Sequence, residues 1–347
     1  MRHSSIPTHH LTVTAIVPVY NGAAHVAGCL ASIFAQTVLP DEIIVIDDGS
    51  TDDSLAAIKA ATSDDRGVVV KVVSQANQGQ SATRNEAARL ASGALLAFCD
   101  QDDLWRPRHV EQLRRPFASH ADLGWVYSDF DEIDLDGRTV TKGFIGVHRL
   151  DQTRRTLGQF LQSDLMMLPS ASMVRATAFW EVGGFDPRLC GYEDDDLFIR
   201  LFRAGWSCRF VREPLTRYRV HSQSASASAR FLQSRLLFFD KLVRDIPSDE
   251  RLNRYFIRDL VFPRLLHTTV SDYATALRTR QYDDARLIAD ALAELYRRSP
   301  VSVSRRAKLA VMQRPEAMHA LLRVHRSLPR RVRPRLGEAL CSAVARH

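Results

Sequence analysis

Short apolar segments alternate with amphipathic helical segments over the first hundred residues, and this alternation restricts the fold more than any other feature of the chain. The apolar segments are rich in β-branched residues, which is typical of buried strands, and they lie at residues 11–19, 42–46, 68–73 and 94–99. Strands and helices at this spacing predict βαβ units, and therefore a mostly parallel sheet with helices on both faces. Further strands are predicted at residues 125–127, 170–174 and 208–211.

Three groups of polar residues directly follow predicted strands. They are Tyr20-Asn21, Asp47-Asp48 and Asp100-Gln101-Asp102-Asp103. In open α/β sheets, ligands bind beyond the carboxyl ends of the strands. We therefore expect these three groups to meet at one edge of the sheet and to form a single ligand site.

Three carboxylates fall within four positions at Asp100, Asp102 and Asp103. Carboxylates this close repel one another, and a hard divalent cation shared with substrate phosphates relieves the repulsion. The alternative is structural, because Asp102 or Asp103 could cap a helix predicted over residues 105–119. Taken alone, the pattern leaves both interpretations open.

A second acidic cluster, Glu193-Asp194-Asp195-Asp196, opens a predicted helix after a sharp turn at residues 183–187. The helix dipole favours carboxylates in a first turn, so capping explains part of this pattern. Four consecutive acids exceed what a cap needs, and their crowding is expected to raise at least one pKa. A carboxylate with a raised pKa is suited to act as a general base.

The composition is that of a globular protein. The 347 residues, 45% of them hydrophobic, suffice for one large domain and a smaller one. No run approaches 18 apolar residues and the first ten residues are polar, so we expect a cytoplasmic location. The five cysteines show no CxxC spacing, which indicates neither a disulfide framework nor a structural zinc site.

The net charge of +7 is unevenly distributed. Residues 1–230 contain 24 Lys/Arg against 28 Asp/Glu, whereas residues 231–347 contain 23 against 12. In this second part, helices are predicted at residues 232–242, 252–266, 283–296 and 316–324.

Residues 297–335 hold 12 Lys/Arg and a single acidic residue, Glu316. Such a run is typical of a solvated, arginine-rich surface. It would equally suit attraction to an anionic membrane surface at the inner face of the cell membrane, and self-association through the helices to form an oligomer is a third alternative. No nucleic-acid partner is expected, because no nucleic-acid-binding motif or aromatic base-stacking pattern is present.

Five motifs in the first 225 residues resemble glycosyltransferase family 2 in order and spacing. They are Val17-Pro18-Val19-Tyr20-Asn21, Val45-Ile46-Asp47-Asp48-Gly49-Ser50-Thr51-Asp52, Asn77-Gln78-Gly79-Gln80-Ser81-Ala82-Thr83-Arg84-Asn85, Asp100-Gln101-Asp102-Asp103, and Gly183-Gly184-Phe185-Asp186 with Glu193-Asp194-Asp195-Asp196-Leu197. The resemblance implies a GT-A fold, which we assign to residues 1–228. Residues 229–347 lie beyond the family's shared core, and their charge and periodicity predict a basic, mainly helical C-terminal region. The resemblance also implies an inverting transfer from a nucleoside diphosphate sugar, with Mg²⁺ or Mn²⁺ as cofactor.

The resemblance also implies positions for the donor. Pro18, Tyr20 and Asp48 would hold the base and the ribose, with the Tyr20 ring beside the base. Arg84 would contact the nucleotide or the diphosphate. Asp100 would lie close to the ribose and the donor sugar.

For the metal and the chemistry, the resemblance implies a DXD-type motif in which Asp102 is the principal metal carboxylate. His221 matches a family position that contributes to the metal or the diphosphate. Asp194 would be the catalytic base, with Glu193 beside it. The next position, often aromatic in relatives, is Asp195 here, so Asp195 stays a second candidate for the base or for acceptor support.

The function predicted from these residues is the addition of a sugar from a UDP- or dTDP-sugar to a glycan or lipid-linked acceptor, in cell-surface polysaccharide synthesis. Two alternatives stay open. One is a sugar nucleotidyltransferase, although its glycine- and lysine-rich phosphate loop is missing after the first strand. The other is a non-catalytic adaptor that keeps the fold, against which the intact Asp102 and Asp194 argue.

Overall fold

A computed structural model describes residues 11–150, 152, 155–220, 229–249, 251 and 253–298. The described residues divide into two compact units. Residues 11–157 and 164–220 form the first, and residues 158–163 together with the described residues from 229 onward form the second. The boundary predicted between residues 228 and 229 stays a prediction. Residues 158–163, which that prediction assigns to the first domain, are grouped with the second unit here.

The first unit is built on one sheet. Its strands within the described residues are β1 (Val13–Val19), β2 (Glu42–Asp47), β3 (Val69–Ser74), β4 (Leu95–Phe98), β5 (Leu104–Trp105), β6 (Leu123–Ile133), β7 (Thr139–Thr141), β8 (Ser172–Arg175) and β9 (Ser207–Arg219). They lie in the order β3-β2-β1-β4-β8-β6-β9-β5, and β7 pairs with β6. Six of these nine strands run in one direction, and β5, β7 and β8 run against them. The predicted mostly parallel α/β sheet is confirmed.

Helices flank this sheet. They are α1 (Val26–Phe34), α2 (Ser54–Ala61), α3 (Gln80–Leu90), α4 (His109–Arg114), α5 (Phe144–Val147), α7 (Ala176–Glu181) and α8 (Glu193–Arg203). A further short helix, α6 (Leu157–Leu161), belongs to the second unit from residue 158 onward. Every residue of β1, β2 and β4 is buried, as expected of central strands. The apolar face of α1, with Leu30 and Ile33 fully buried, packs into the same core as these strands.

The predicted helix over residues 105–119 is wrong in its first part. Residues Leu104–Trp105 form β5, which pairs with β9, and α4 begins only at His109. Pro107 disfavours helical backbone at the residue before it, so the chain stays extended through this segment. The acids at 102 and 103 therefore do not cap this helix, and the capping interpretation of the acidic motif is wrong.

The second unit is helical within its described residues. Besides residues 158–161 of α6, its helices are α9 (Ala229–Asp245), α10 (Phe262–Arg278) and α11 (Tyr282–Arg298), and a π-helical turn at Ile257–Val261 leads into α10. The helix predicted at residues 252–266 therefore begins and ends later than expected. The predicted helix at 316–324 and the basic run beyond residue 298 lie outside the described residues. No helix in the described part of the chain is long and apolar enough to cross a membrane.

Candidate active site

The loop after β1 lies at the carboxyl edge of the sheet, and neighbouring side chains hold its backbone. Four successive N–H groups donate to side-chain oxygens: Tyr20 N to Gln101 Oε1 at 2.8 Å, Asn21 N to Ser50 Oγ at 3.0 Å, Gly22 N to Ser54 Oγ at 2.8 Å, and Ala23 N to Asp52 Oδ2 at 3.1 Å. The loops that follow β2 and β4 thus fix the loop after β1. The three strand ends meet at one edge, as predicted.

Gln101 binds the main chain of Tyr20 on both sides. Its Oε1 accepts from Tyr20 N at 2.8 Å, and its Nε2 donates to Tyr20 O at 3.1 Å. A Cβ at Gly22 would lie 2.3 Å from Gln101 Oε1, so glycine makes this contact feasible. The Tyr20 side chain is left 48% exposed at the sheet edge, whereas Pro18 is buried inside β1 opposite Ile46.

The Asp48 carboxylate accepts hydrogen bonds from the loop that leads into α3. The residue is 2% exposed, and its carboxylate accepts from Gln75 Nε2 at 2.7 Å, Gln78 N at 2.9 Å and Gly79 N at 2.9 Å. Gly79 takes a positive φ of 87° at the start of α3, a conformation that costs glycine little. In this structure Asp48 orders the start of α3 at the sheet edge.

Arg84, on α3, joins the two acidic motifs. Its Nη2 donates to both oxygens of Asp100, at 2.6 and 2.9 Å, and its Nη1 donates to Glu193 Oε1 at 3.1 Å. The guanidinium also lies over the Phe185 ring, 5.2 Å from its centroid. Burial alone would lower the pKa of Arg84, but the charges of Asp100 and Glu193 outweigh it and the pKa is raised. The cation is therefore held between two carboxylates that lie 93 positions apart.

The loop from Asp100 to Asp103 is fixed from three directions. Asp100 N donates to Ser170 Oγ at 2.9 Å, and Asp103 Oδ1 accepts from Arg219 N at 2.9 Å. Arg219 Nε donates to Asp102 O at 2.9 Å. Burial raises the pKa of Asp103 well above its ordinary value, and the charges of Asp102 and Asp100 add to the shift. Crowding of like charges, expected from the sequence, is thus present at this loop.

Among the described residues, no group of three or more His, Cys, Asp or Glu side chains is arranged to hold a metal ion. A Mg²⁺ or Mn²⁺ site of one or two carboxylates completed by substrate phosphates needs no such group. Asp102 is partly exposed at the rim of the acidic loop, and Asp103 Oδ2 is buried with no hydrogen-bond partner in the described part of the chain. This oxygen-rich, crowded donor set fits a hard cation. His221, the other predicted ligand, lies outside the described residues.

The four acids that open α8 have different surroundings. Asp196 Oδ2 accepts from Arg200 Nε at 2.8 Å, Asp195 Oδ1 accepts from Leu165 N at 3.2 Å, and both residues are buried. Asp194 is half-buried, and its Oδ1 accepts from Asp195 N at 2.8 Å. Asp194 is therefore the least buried of the four acids.

The pKa of Asp194 is raised well above its ordinary value of 3.8. Burial is the largest cause, the charges of Asp195 and Glu193 add to it, and Arg84 opposes it. The raised pKa that the sequence predicted for one acid of this cluster therefore falls on Asp194, where it favours proton uptake.

Sequence reasoning missed two residues of β9 that complete the site. Arg219 binds the acidic loop, as described above, and Tyr218 has a raised pKa because of burial and of four carboxylates, Asp103, Asp100, Asp102 and Asp194. Carboxylates of both acidic motifs thus contribute to the electrostatic potential at the Tyr218 phenol. The only sequence signal was the dense basic and aromatic segment Arg217-Tyr218-Arg219.

The fold and this acidic edge define a glycosyltransferase of the GT-A class, and comparisons with known proteins agree. Residues 14–183 match the family described as Glycosyl transferase family 2. Residues 14–183 belong to glycosyltransferase family 2.

The relatives in sequence are glycosyltransferases of modest identity. Over 252 residues the chain is 28% identical to the putative glycosyltransferase EpsH of Bacillus subtilis, covering 70% of this chain and 71% of the relative. Over 220 residues it is 26% identical to an uncharacterized glycosyltransferase of Nostoc sp., covering 63% and 68%. It is also 28% identical over 193 residues to chondroitin synthase of Escherichia coli, but these cover 56% of this chain and only 27% of that protein.

Two solved structures share the fold. The mannosyltransferase PcManGT from Pyrobaculum calidifontis, in complex with GDP-Man and Mn²⁺, superimposes with a TM-score of 0.58 at 18% identity, covering 97% of this chain and 86% of that one. Residues 1–349 of Staphylococcus aureus TarS, in complex with UDP-GlcNAc, give a TM-score of 0.53 at 16% identity, covering 96% and 88%. The GT-A fold expected from the sequence is confirmed.

Proposed function

We propose that this enzyme transfers a sugar, with inversion, from a nucleoside diphosphate sugar to a hydroxyl of a glycan or lipid-linked acceptor. The observation that carries the proposal is the Arg84 bridge, which sets Asp100 of the donor motif beside Glu193 of the base motif. One guanidinium separates the two acidic motifs, so a donor on the first would lie within reach of a base on the second.

Asp194 is the proposed general base. In an inverting transfer the base removes the proton of the acceptor hydroxyl while its oxygen attacks the anomeric carbon opposite the leaving diphosphate. The raised pKa of Asp194, caused first by burial and then by Asp195 and Glu193, makes the carboxylate a better proton acceptor. Asp195 is a weaker candidate because its side chain is buried, whereas Asp194 is only half-buried.

Asp102 is the proposed metal carboxylate for Mg²⁺ or Mn²⁺, with His221 as a further ligand. When bound, the cation would act as a Lewis acid that neutralises charge on the leaving diphosphate. The Mn²⁺ in the PcManGT complex supports a divalent cation as the cofactor. Pro18, Tyr20, Asp48 and Asp100 keep their proposed places at the nucleotide and sugar, with the exposed Tyr20 ring as the base platform.

The donor and acceptor are proposed by class. UDP- and dTDP-sugars are the expected donors, and the GDP-Man and UDP-GlcNAc complexes of the two solved structures make GDP a third base to test. Synthesis of a surface polysaccharide is supported by the similarity to chondroitin synthase, of which this chain matches about a quarter. Residues 229–347 would serve as an appendage that approaches the membrane holding a lipid-linked acceptor.

A sugar nucleotidyltransferase is disfavoured by the loop after β1. An enzyme of that type would use backbone N–H groups of this loop to hold phosphates. Here the four N–H groups from Tyr20 to Ala23 already donate to protein side chains. The non-catalytic adaptor is the alternative that the following experiment separates from the enzyme.

The test is thermal stabilisation by UDP, dTDP and GDP, each with and without Mn²⁺, followed by release of nucleoside diphosphate from the matching sugar nucleotides. We expect one nucleotide with Mn²⁺ to raise the melting temperature of wild type by about 5 °C at a concentration a hundredfold above its Kd. Asp102→Ala should lose this shift, and Asp194→Asn should keep it but lose diphosphate release. Asp136→Ala, which changes an exposed acid of the β6–β7 turn, is the matched control. No shift and no release with any nucleotide would favour the adaptor.

A further inference from the structure

The Arg84 side chain lies in the protein interior rather than on the surface of the site. It is 1% exposed, whereas the Asp100 and Glu193 side chains are 19% and 12% exposed. Both of its terminal nitrogens donate to those two carboxylates. Its remaining donor, Nε, is buried and has no hydrogen-bond partner in the described part of the chain. A ligand at the sheet edge therefore meets the two acids before it meets the cation between them.

Three separate elements converge on this guanidinium. Arg84 belongs to α3, Asp100 directly follows β4, and Glu193 is the first residue of α8. Neighbouring side chains of α3 strengthen the same junction, since Gln80 Nε2 donates to Asp100 Oδ1 at 3.1 Å and Ser81 Oγ donates to Leu189 O at 2.9 Å. The helix thus fixes both the acidic loop and the segment that enters α8.

We infer that Arg84 is a positioning residue that fixes Glu193, and with it the first turn of α8 and Asp194, against the loop from Asp100 to Asp103, without contacting the donor. The inference rests on the proposed function, because it assumes Asp194 to be the base. It differs from the role implied by the family resemblance, in which Arg84 contacts the nucleotide or the diphosphate. A bidentate pair and a third contact from one planar group define this geometry, and lysine cannot reproduce it.

The charge of Arg84 has a second consequence at Asp194. The groups that act on the Asp194 carboxylate include Asp195 and Glu193, which raise its pKa, and Arg84, which lowers it. Tyr218, on β9, also interacts electrostatically with Asp194. Removing the positive charge at position 84 leaves the negative neighbours unopposed, so the pKa of Asp194 rises further. Arg84→Lys keeps the positive charge but loses the bidentate geometry, whereas Arg84→Gln loses both. Comparing the two variants therefore separates the effect of the charge from the effect of the geometry.

The experiment compares wild type, Arg84→Lys, Arg84→Gln, Glu193→Gln and the double variant Arg84→Gln/Glu193→Gln. Arg89→Gln is the matched control, because Arg89 lies on the same helix in an exposed pair with Glu86. Calorimetry gives the Kd of the nucleoside diphosphate that stabilises wild type, with Mn²⁺. Release of that diphosphate from its sugar nucleotide at saturation, with water as acceptor, gives turnover as a function of pH. Melting temperatures show which variants are folded, and Arg84→Lys and Glu193→Gln carry the test where Arg84→Gln is unfolded.

If Arg84 is a positioning residue, Arg84→Gln loses about 100-fold in turnover, as expected for a misplacement near 1 Å, while the Kd changes by less than about threefold. The turnover of the double variant is within about threefold of that of the slower single variant, because both substitutions remove the same contact. The acid limb of turnover moves to higher pH in Arg84→Gln and stays in place in Arg84→Lys, although Arg84→Lys is also slower. Arg89→Gln matches wild type in every measurement.

Either of two results would overturn the inference and leave the proposed function intact. One is a Kd weakened tenfold or more in Arg84→Gln or Arg84→Lys with turnover of the bound donor unchanged, which would mean direct ligand contact. The other is full additivity of the two single substitutions together with an unmoved acid limb. If wild type binds no nucleotide and releases no diphosphate, the proposed function fails first, and the inference fails with it.

Discussion

Asp103 Oδ1 accepts a hydrogen bond from Arg219 N at 2.9 Å, which joins residues that are 116 positions apart. The same arginine side chain donates to the backbone oxygens of Asp102, Asp134 and Leu135 at 2.6 to 2.9 Å. The last residue of β9 therefore holds the acidic loop on one side and the β6–β7 turn on the other. Both segments are irregular, so their positions depend on this side chain.

Replacing Arg219 by alanine should destabilise the protein by about 3 kcal/mol, because three partly buried hydrogen bonds from a charged donor to backbone carbonyl groups would be lost. Arg219→Lys should recover only part of this free energy, since a single ammonium group cannot span the three acceptors. Urea unfolding measures the difference. Arg212→Ala, at an exposed position of the same strand, is the control and should change stability by less than about 0.5 kcal/mol. Equal effects at both positions would show that the contacts of Arg219 contribute nothing specific.

Gly22→Ala should act through Gln101. The new Cβ would lie 2.3 Å from Gln101 Oε1, and the Gln101 side chain must leave the Tyr20 main chain. We expect Gly22→Ala and Gln101→Ala each to weaken nucleotide binding by about fivefold. The double variant should bind the nucleotide no more weakly than either single variant, because both substitutions remove the same hydrogen bonds between Gln101 and the Tyr20 main chain. Calorimetry with the nucleoside diphosphate that stabilises wild type measures this. Additive losses in the double variant would refute the shared mechanism.

The alternation of strands and helices predicted the sheet because buried parallel strands have a continuous apolar pattern that local sequence reveals. The same logic predicted that Tyr20, Asp47 and Asp100 would share an edge. It failed at residues 105–108, where β5 is only two residues long and exists because it pairs with β9. A strand this short carries no periodicity, so its pairing partner, more than 100 positions away, decides its conformation.

The candidate site was predictable to a similar extent. Clustered acids at a strand end and at a helix start predicted two acidic groups at the site, and the family resemblance singled out Asp100, Asp102 and Asp194 within them. The sequence did not reveal that Arg84 would lie between Asp100 and Glu193, or that Ser170 would fix Asp100 N. These contacts join residues 16 to 109 positions apart, and such pairs leave no periodic pattern.

His109 should stay neutral through the physiological range. The ring is fully buried, stacks on Trp105 with centroids 4.2 Å apart, and burial lowers its pKa to about 3, although a hydrogen bond with Leu215 O opposes the shift. The unfolded state takes up a proton near the ordinary value of 6.5 and the native state does not, so stability falls as pH drops from 6.5 towards 3.

The expected loss from this histidine is about 1.4 kcal/mol per pH unit below 6.5. His109→Phe should flatten the dependence of unfolding free energy on pH between 6.5 and 4.5 by this amount. His120→Phe, at an exposed position, should leave the slope unchanged. Urea unfolding at several pH values measures both. An unchanged slope in His109→Phe would show that His109 is protonated in the native state.

Asp194→Asn should stabilise the protein at neutral pH while removing activity. Burial and the charges of Asp195 and Glu193 raise the pKa of Asp194 well above 3.8, so the native state binds a proton more tightly than the unfolded state does. The wild-type carboxylate therefore costs stability as pH rises above about 4, and this cost persists above the native pKa. We expect the gain in unfolding free energy of Asp194→Asn to be about 1 to 2 kcal/mol at pH 7.5 and to shrink as pH falls towards 4. Asp136→Asn, at an exposed acid, should show no such trend. A destabilised Asp194→Asn at pH 7.5 would mean that the carboxylate stabilises the fold, and its selection for proton transfer would lose its physical basis.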